Sequence, residues 1–202
     1  MFKRFITTGL ILGSLVGIAG IAGPLTHASP RFAQEKPALQ QKATRNADRD
    51  QRLQRMVAAA VRHELVTLPY YNVFDWLEAE LRSDGTVILQ GEAVEPTTSK
   101  DAENRIRKIE SVNQVINQIK ILPVSVRDSE LRLSLYRAIY NWDSPLFRYA
   151  TRAMPPIHIL VENGRVTLKG AVATQSERQL AYTAANQVPG IFEVRNELQT
   201  DN

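Results

Sequence analysis

The sequence predicts an α+β fold: two tandem αββαβ modules, each a three-stranded mixed sheet covered by two helices, after an N-terminal signal or anchor segment. Three observations predict it. The stretch DGTVILQGEA from Asp84 is echoed by NGRVTLKGAV from Asn163. One gapless shift that lays Gly85 on Gly164 also lays Val87 on Val166, Leu89 on Leu168, Gly91 on Gly170, Ala102 on Ala181, Val112 on Ile191, Val115 on Val194 and Asn117 on Asn196. In both halves the apolar period is two before Gly91 and Gly170 and helical after them, as for a hairpin followed by a helix.

In the first half, Leu53, Met56, Val57, Ala60, Val61 and Leu65 recur at helical spacing and mark an amphipathic helix. Leu77, Ala79 and Leu81 alternate with polar residues, as do Val87 and Leu89, so each run is a strand with one buried face. Asp84-Gly85 between them is a hairpin signal. Thr98 to Asp101 can cap a second helix, whose inward stripe is Ala102, Ile106 and Ile109. Val112, Val115 and Ile119 form a closing turn and third strand. A strand-helix-strand step makes that strand parallel to its predecessor.

The second half repeats the plan. Asp128 is the expected cap of a helix carrying Leu131, Leu135, Ala138, Ile139 and Trp142. Ile157, Ile159 and Val161 alternate before Asn163-Gly164, and Val166 and Leu168 after it. The first hairpin loop is one residue longer, with Ser83 as the insertion. Thr174 to Glu177 is a capping-box pattern; Ala181, Ala184, Ala185 and Val188 share a face, and Pro189-Gly190 stops the helix. Gly85, Gly91, Gly164 and Gly170 are read as structural, serving turns and close approach. The expected domains are 51–125 and 126–202, joined by only Leu122 to Arg127. Modules of about 75 residues have marginal cores, so the two are expected to pack on each other.

Residues 1–28 read as a signal peptide or anchor: Lys3 and Arg4, an apolar run, then Thr26-His27-Ala28 as a cleavage pattern. Residues 5–25 are also just long enough to span a bilayer as a retained inner-membrane anchor. Either way the remainder is expected outside the cytoplasm, in the periplasm or on the envelope. Residues 29–50 read as a polar, flexible linker. The formal charge of +4 falls once Lys3 and Arg4 are removed. Such a near-balanced chain lacks the basic excess of a nucleic-acid binder.

The DG.V.L.G hairpins, the alanine-bearing helices and the closing V..V.N runs resemble the BON domain, the bacterial osmotically-induced and nodulation module. The first set is Asp84, Gly85, Val87, Leu89, Gly91, Val112, Val115, Asn117 and Ile119; the second is Asn163, Gly164, Val166, Leu168, Gly170, Ile191, Val194, Asn196 and Leu198. The exported two-copy layout is similar to dual-BON envelope proteins. The resemblance implies a non-enzymatic module that attaches to phospholipid membrane surfaces. The alternative it implies is a periplasmic chaperone or scaffold for proteins or other envelope components. Lipoproteins of this layout begin with a lipid-modified cysteine; this chain has no cysteine, so that anchor is excluded.

No catalytic set, metal site or cofactor is expected. His27, His63 and His158 are scattered, and His158 points away from Ile157 and Ile159. Glu78 and Glu80 are the solvent face of their strand. No Gly-x-Ser-x-Gly elbow or phosphate-cradling glycine cluster occurs. The most suggestive surface is NWDSPLFRYATRAMPP, Asn141 to Pro156, preceded by Tyr136, Arg137 and Tyr140. Tyr136, Arg137, Phe147, Arg148, Tyr149 and Arg152 are the candidate lipid or partner contacts. Rings mixed with arginine suit a bilayer interface. The simpler reading is that most of them fill the seam between modules.

Overall fold

The computed structural model describes the backbone of residues 35–200 and side chains from residue 44. The signal or anchor reading of residues 1–28 lies outside the described residues. The element order is α1 (Glu35–Val66), β1 (Trp76–Leu81), β2 (Thr86–Ala93), α2 (Pro96–Ile106), β3 (Gln114–Asn117), β4 (Lys120–Ile121), α3 (Val126–Ile139), α4 (Phe147–Ala150), β5 (Ile157–Glu162), β6 (Arg165–Val172), α5 (Gln175–Asn186), β7 (Glu193–Asn196) and β8 (Gln199–Thr200). The chain therefore folds as two αββαβ units, as its repeat predicts. The stretch read as a flexible linker is helical from Glu35.

In each unit the first two strands pair antiparallel and the next pairs parallel, giving the orders β1-β2-β3 and β5-β6-β7. The expected third strand comes in two pieces: β4 also pairs with β2, and β8 with β6. The repeated asparagine makes the break. The Asn117 amide donates to the Ser99 carbonyl at 3.2 Å, while its Oδ1 accepts from Ile119 N–H at 3.1 Å. Asn196 does the same with the Arg178 carbonyl at 2.9 Å and Leu198 N–H at 3.2 Å. Each side chain thus bends its own strand by a local turn and ties it to the preceding helix.

The hairpins match their residue counts. Asn163 and Gly164 both have positive φ, 51° and 74°, as a two-residue loop between Glu162 and Arg165 requires. In the first hairpin Arg82 N–H donates to the Thr86 carbonyl at 2.9 Å, leaving a three-residue loop whose Gly85 has φ 80°. Gly91 and Gly170 serve the neighbouring strand's backbone, not a helix. A Cβ there would lie 1.9 Å from the Trp76 carbonyl oxygen or 1.8 Å from that of Pro156.

Helix capping departs from the reading in two places. Glu95, with Pro96 at the first helical position, precedes α2, and Thr98 and Ser99 are buried inside it. Ser125 caps α3 by accepting from Asp128 N–H, which frees the Asp128 carboxylate for another task. The Thr174–Glu177 capping box is complete. Trp142 falls beyond the end of α3 and is exposed.

The core of the first unit is Val57, Val61, Leu65, Leu68, Val87, Leu89, Ala102 and Ile106. The second is larger, with Leu131, Leu135 and Ile139 of α3 packed over Ile157, Ile159, Val161, Val166 and Leu168 and against Ala181 and Ala185 of α5. The two cores differ at their first strand. Ile157, Ile159 and Val161 are fully buried, whereas Leu77, Ala79 and Leu81 are only half-buried.

Candidate functional site

The outer edge of β5 is covered, and the cover comes from both units. Ile159 N–H donates to the Val73 carbonyl at 2.7 Å. His158 Nδ1 lies 2.6 Å from the Asp75 carbonyl oxygen. A carbonyl only accepts, so Nδ1 carries the hydrogen. The His158 ring stacks on Tyr71 and meets Trp76 edge-on, at 5.7 and 5.0 Å between centroids. Phe74 packs against the second unit's core and lies 6.4 Å from the Tyr136 ring. The stretch from Tyr71 to Trp76, between α1 and β1, is thus a strap across the second module.

From the other side, α3 completes that edge. Tyr140 hydroxyl donates to the Ile157 carbonyl at 2.7 Å, and Arg132 Nη2 to the Val161 carbonyl at 2.7 Å. Asp128, buried, accepts from Asn163 N–H at 2.8 Å and Gly164 N–H at 2.9 Å, anchoring the hairpin turn to the helix. Arg132 is buried near two carboxylates, Asp128 and Asp75, which oppose the lowering of its pKa by desolvation. Asp75 is buried too. Its Oδ1 accepts from Val94 N–H at 2.7 Å and its Oδ2 from Asn72 N–H at 3.1 Å, yet burial still pushes its pKa up. Burial likewise raises Tyr71 to about 12 and lowers His158.

The predicted contact residues divide into a buried support and an exposed rim. Tyr149 is 3 % exposed; its hydroxyl donates to Glu177 Oε2 at 2.9 Å and accepts from Ala173 N–H at 3.0 Å. Arg148 pairs with Glu177, and the guanidiniums of Arg148 and Arg152 lie 5.0 and 5.1 Å from the Tyr149 ring centroid. Tyr136 is half-buried between Phe74 and Tyr140, and Arg137 is exposed. Phe147, 43 % exposed, opens the short α4. Trp142, assigned by its spacing to the core face of a helix, is 78 % exposed.

Glu78 and Glu80 are exposed, as their alternation predicts, and Glu78 accepts from the Trp76 indole N–H. His63 is exposed. Among the described residues no group of three or more His, Cys, Asp or Glu could hold a metal ion, and no helix is long and apolar enough to cross a membrane.

No curated protein matches the chain. Among solved structures it is similar to CdsD, a structural protein of the type III secretion system of Chlamydia trachomatis, at 10 % identity, over 71 % of this chain and 92 % of that one, with a TM-score of 0.29. It is also similar to the C-terminal domain of CdsD, at 10 % identity, over 71 % and 96 %, with a TM-score of 0.25. The BON domain model matches residues 77–123 and 148–202. These stretches make up about half the chain and fall on the two hairpin-helix-strand units, so the protein belongs to the BON-domain family, whose members are non-catalytic binding modules of membranes and the envelope, and it carries the domain twice.

Proposed function

We propose that the protein is an exported envelope module that docks on phospholipid surfaces through the Asn141–Pro156 segment. One observation carries this reading: the segment exposes Trp142 and Phe147, and the guanidiniums of Arg148, which pairs with Glu177, and Arg152 lie over the buried ring of Tyr149. Exposed rings partition to headgroup depth, and guanidinium meets lipid phosphate. Arg137, exposed in the last turn of α3, is a further basic candidate. Tyr149 then acts as the support of the surface and not as an inserted ring.

The chaperone alternative needs an apolar groove between the modules. Tyr71, Phe74, Trp76 and His158 occupy that place, which favours the surface reading.

Flotation with phosphatidylcholine vesicles, with and without phosphatidylglycerol, tests the proposal. The expected result is recovery with the anionic vesicles, reduced by added salt and by Trp142→Ser with Arg152→Ser. Equal recovery with neutral and anionic vesicles removes the electrostatic part. Recovery unchanged in the double variant removes the segment.

A further inference from the structure

The two modules present the same strand edge: that of β5 is covered along its length, that of β1 only at Leu77, whose backbone N–H meets the Tyr71 hydroxyl. Aligning the buried rows Val57, Val61, Leu65 and Leu131, Leu135, Ile139 puts Ala58 where α3 has Arg132, and Val66 where it has Tyr140. Both donors that satisfy β5 carbonyls are therefore missing beside β1. Ala79 is the counterpart of Ile159: each sits opposite the matching leucine of the next strand, Leu89 or Leu168. Ile159 N–H is bonded to Val73, but among the described residues nothing covers the outward N–H of Ala79. Gln54 stands where Asp128 grips the turn, and a cleft of about 300 Å³ opens there, lined by Leu53, Val57, Leu81 and Asn113 among others.

The second module also carries an unused strap. Counting back from β5 as Val73 and Phe74 count back from Leu77, the equivalents are Ala153 and Met154. Arg152 and Ala153 are exposed and Met154 is half-buried. Charge fits the two surfaces together. The β1 edge shows Glu78 and Glu80, the latter 3.8 Å from Arg82, while the strap carries the exposed Arg152; Arg148 nearby is paired with Glu177. Two β1 edges meeting about a two-fold axis would set glutamates against glutamates, a known guard against edge pairing. A basic extended segment meets no such barrier.

We propose that the protein associates head to tail with further copies of itself. The Arg152–Met154 strap of one copy lies on the β1 edge of the next, repeating between chains the contact that Val73 and Phe74 make within one. The Ala153 carbonyl accepts from Ala79 N–H, Met154 covers Leu81, and Arg152 faces Glu80. Such a contact is heterologous and propagates instead of closing as a dimer.

Sedimentation velocity of the full chain over a concentration series tests this in the absence of lipid, which would compete for Arg152. Wild type is expected to give a sedimentation coefficient that keeps rising past the dimer value. Arg152→Glu or Glu80→Lys alone weakens association about tenfold. The two together in one chain restore it, because each interface again holds opposite charges. A monomer at all concentrations overturns the proposal. So does association that neither single change weakens, as when residues 1–34 or another surface mediate it, or a double variant no better than the singles.

Discussion

His158 Nδ1 and the Asp75 carbonyl oxygen, 83 positions apart in the chain, lie 2.6 Å apart at the seam between the modules. The imidazole is buried, with Tyr71 stacked on one side and Trp76 against its edge. Lys169, its cross-strand partner, lies 6.0 Å from the Trp76 ring centroid. A second proton on this ring would place a charge out of water, a cost that the backbone carbonyls of Asp75 and Asn72 only partly offset. Burial accordingly lowers the pKa of His158 in the fold.

A pH dependence follows from that sign. The unfolded chain binds the proton near pH 6.5, and the folded chain only at lower pH. The stabilisation is fully present above about pH 6.5 and is lost as pH falls towards the folded pKa. Urea midpoints are therefore flat between pH 7 and 8 and decline below about pH 6.5. His158→Asn keeps a donor near the Nδ1 position and cannot titrate, so it flattens this decline. The raised pKa of the buried Asp75 works the other way, favouring the fold only in more acid solution. An undiminished slope in the variant would assign the titration elsewhere.

The Asp128 carboxylate replaces solvent for two backbone N–H groups of the β5–β6 turn. Asp128→Ala leaves both donors unpaired and removes a charge near Arg132. A loss of about 3 kcal/mol is expected in denaturant titration. Gln54→Ala, at the matching place of the first module, is expected to cost less than about 0.5 kcal/mol, since the cleft there is open.

Gly170→Ala drives a methyl into the Pro156 carbonyl at a positive φ of 114°, and Gly91→Ala does the same at Trp76. Each is expected to cost on the order of 3 kcal/mol or to abolish folding of its module. Soluble yield and thermal melting check this.

Phe74 belongs to the first module by sequence and to the second by packing. Phe74→Ala is expected to lower stability by about 2–3 kcal/mol. It is also expected to split one calorimetric transition into two, because the strap is what couples the cores. A single sharp transition in the variant would show that other contacts, such as the Lys120–Glu162 pair at 2.5 Å, are enough.

Much of this architecture was legible in the sequence because its signals are local. The capping box at Thr174, the extra residue at Ser83 and the inward rows of each strand depend on neighbours a few positions away. The seam was not legible. Val73 and Asp75 act through backbone carbonyls, which every residue has, and His158 is distinctive only beside rings far away in the chain. Asp128 is an acceptable helix cap by type; only the fold shows that Ser125 fills that role. Tyr149 and Trp142 show a similar limit. An aromatic among arginines can lie under them or beside them, and here the first does the one and the second the other.

The strap also bears on where this protein can be cut. A fragment starting at Ser125 would retain every strand and helix of the second repeat, yet would leave Ile159 N–H and the His158 ring facing water and strip Phe74 from its socket. The self-sufficient piece begins upstream of Tyr71 and so contains the first hairpin as well. The two copies of the sequence are, in this sense, not two exchangeable parts: the later one borrows its lining from the earlier.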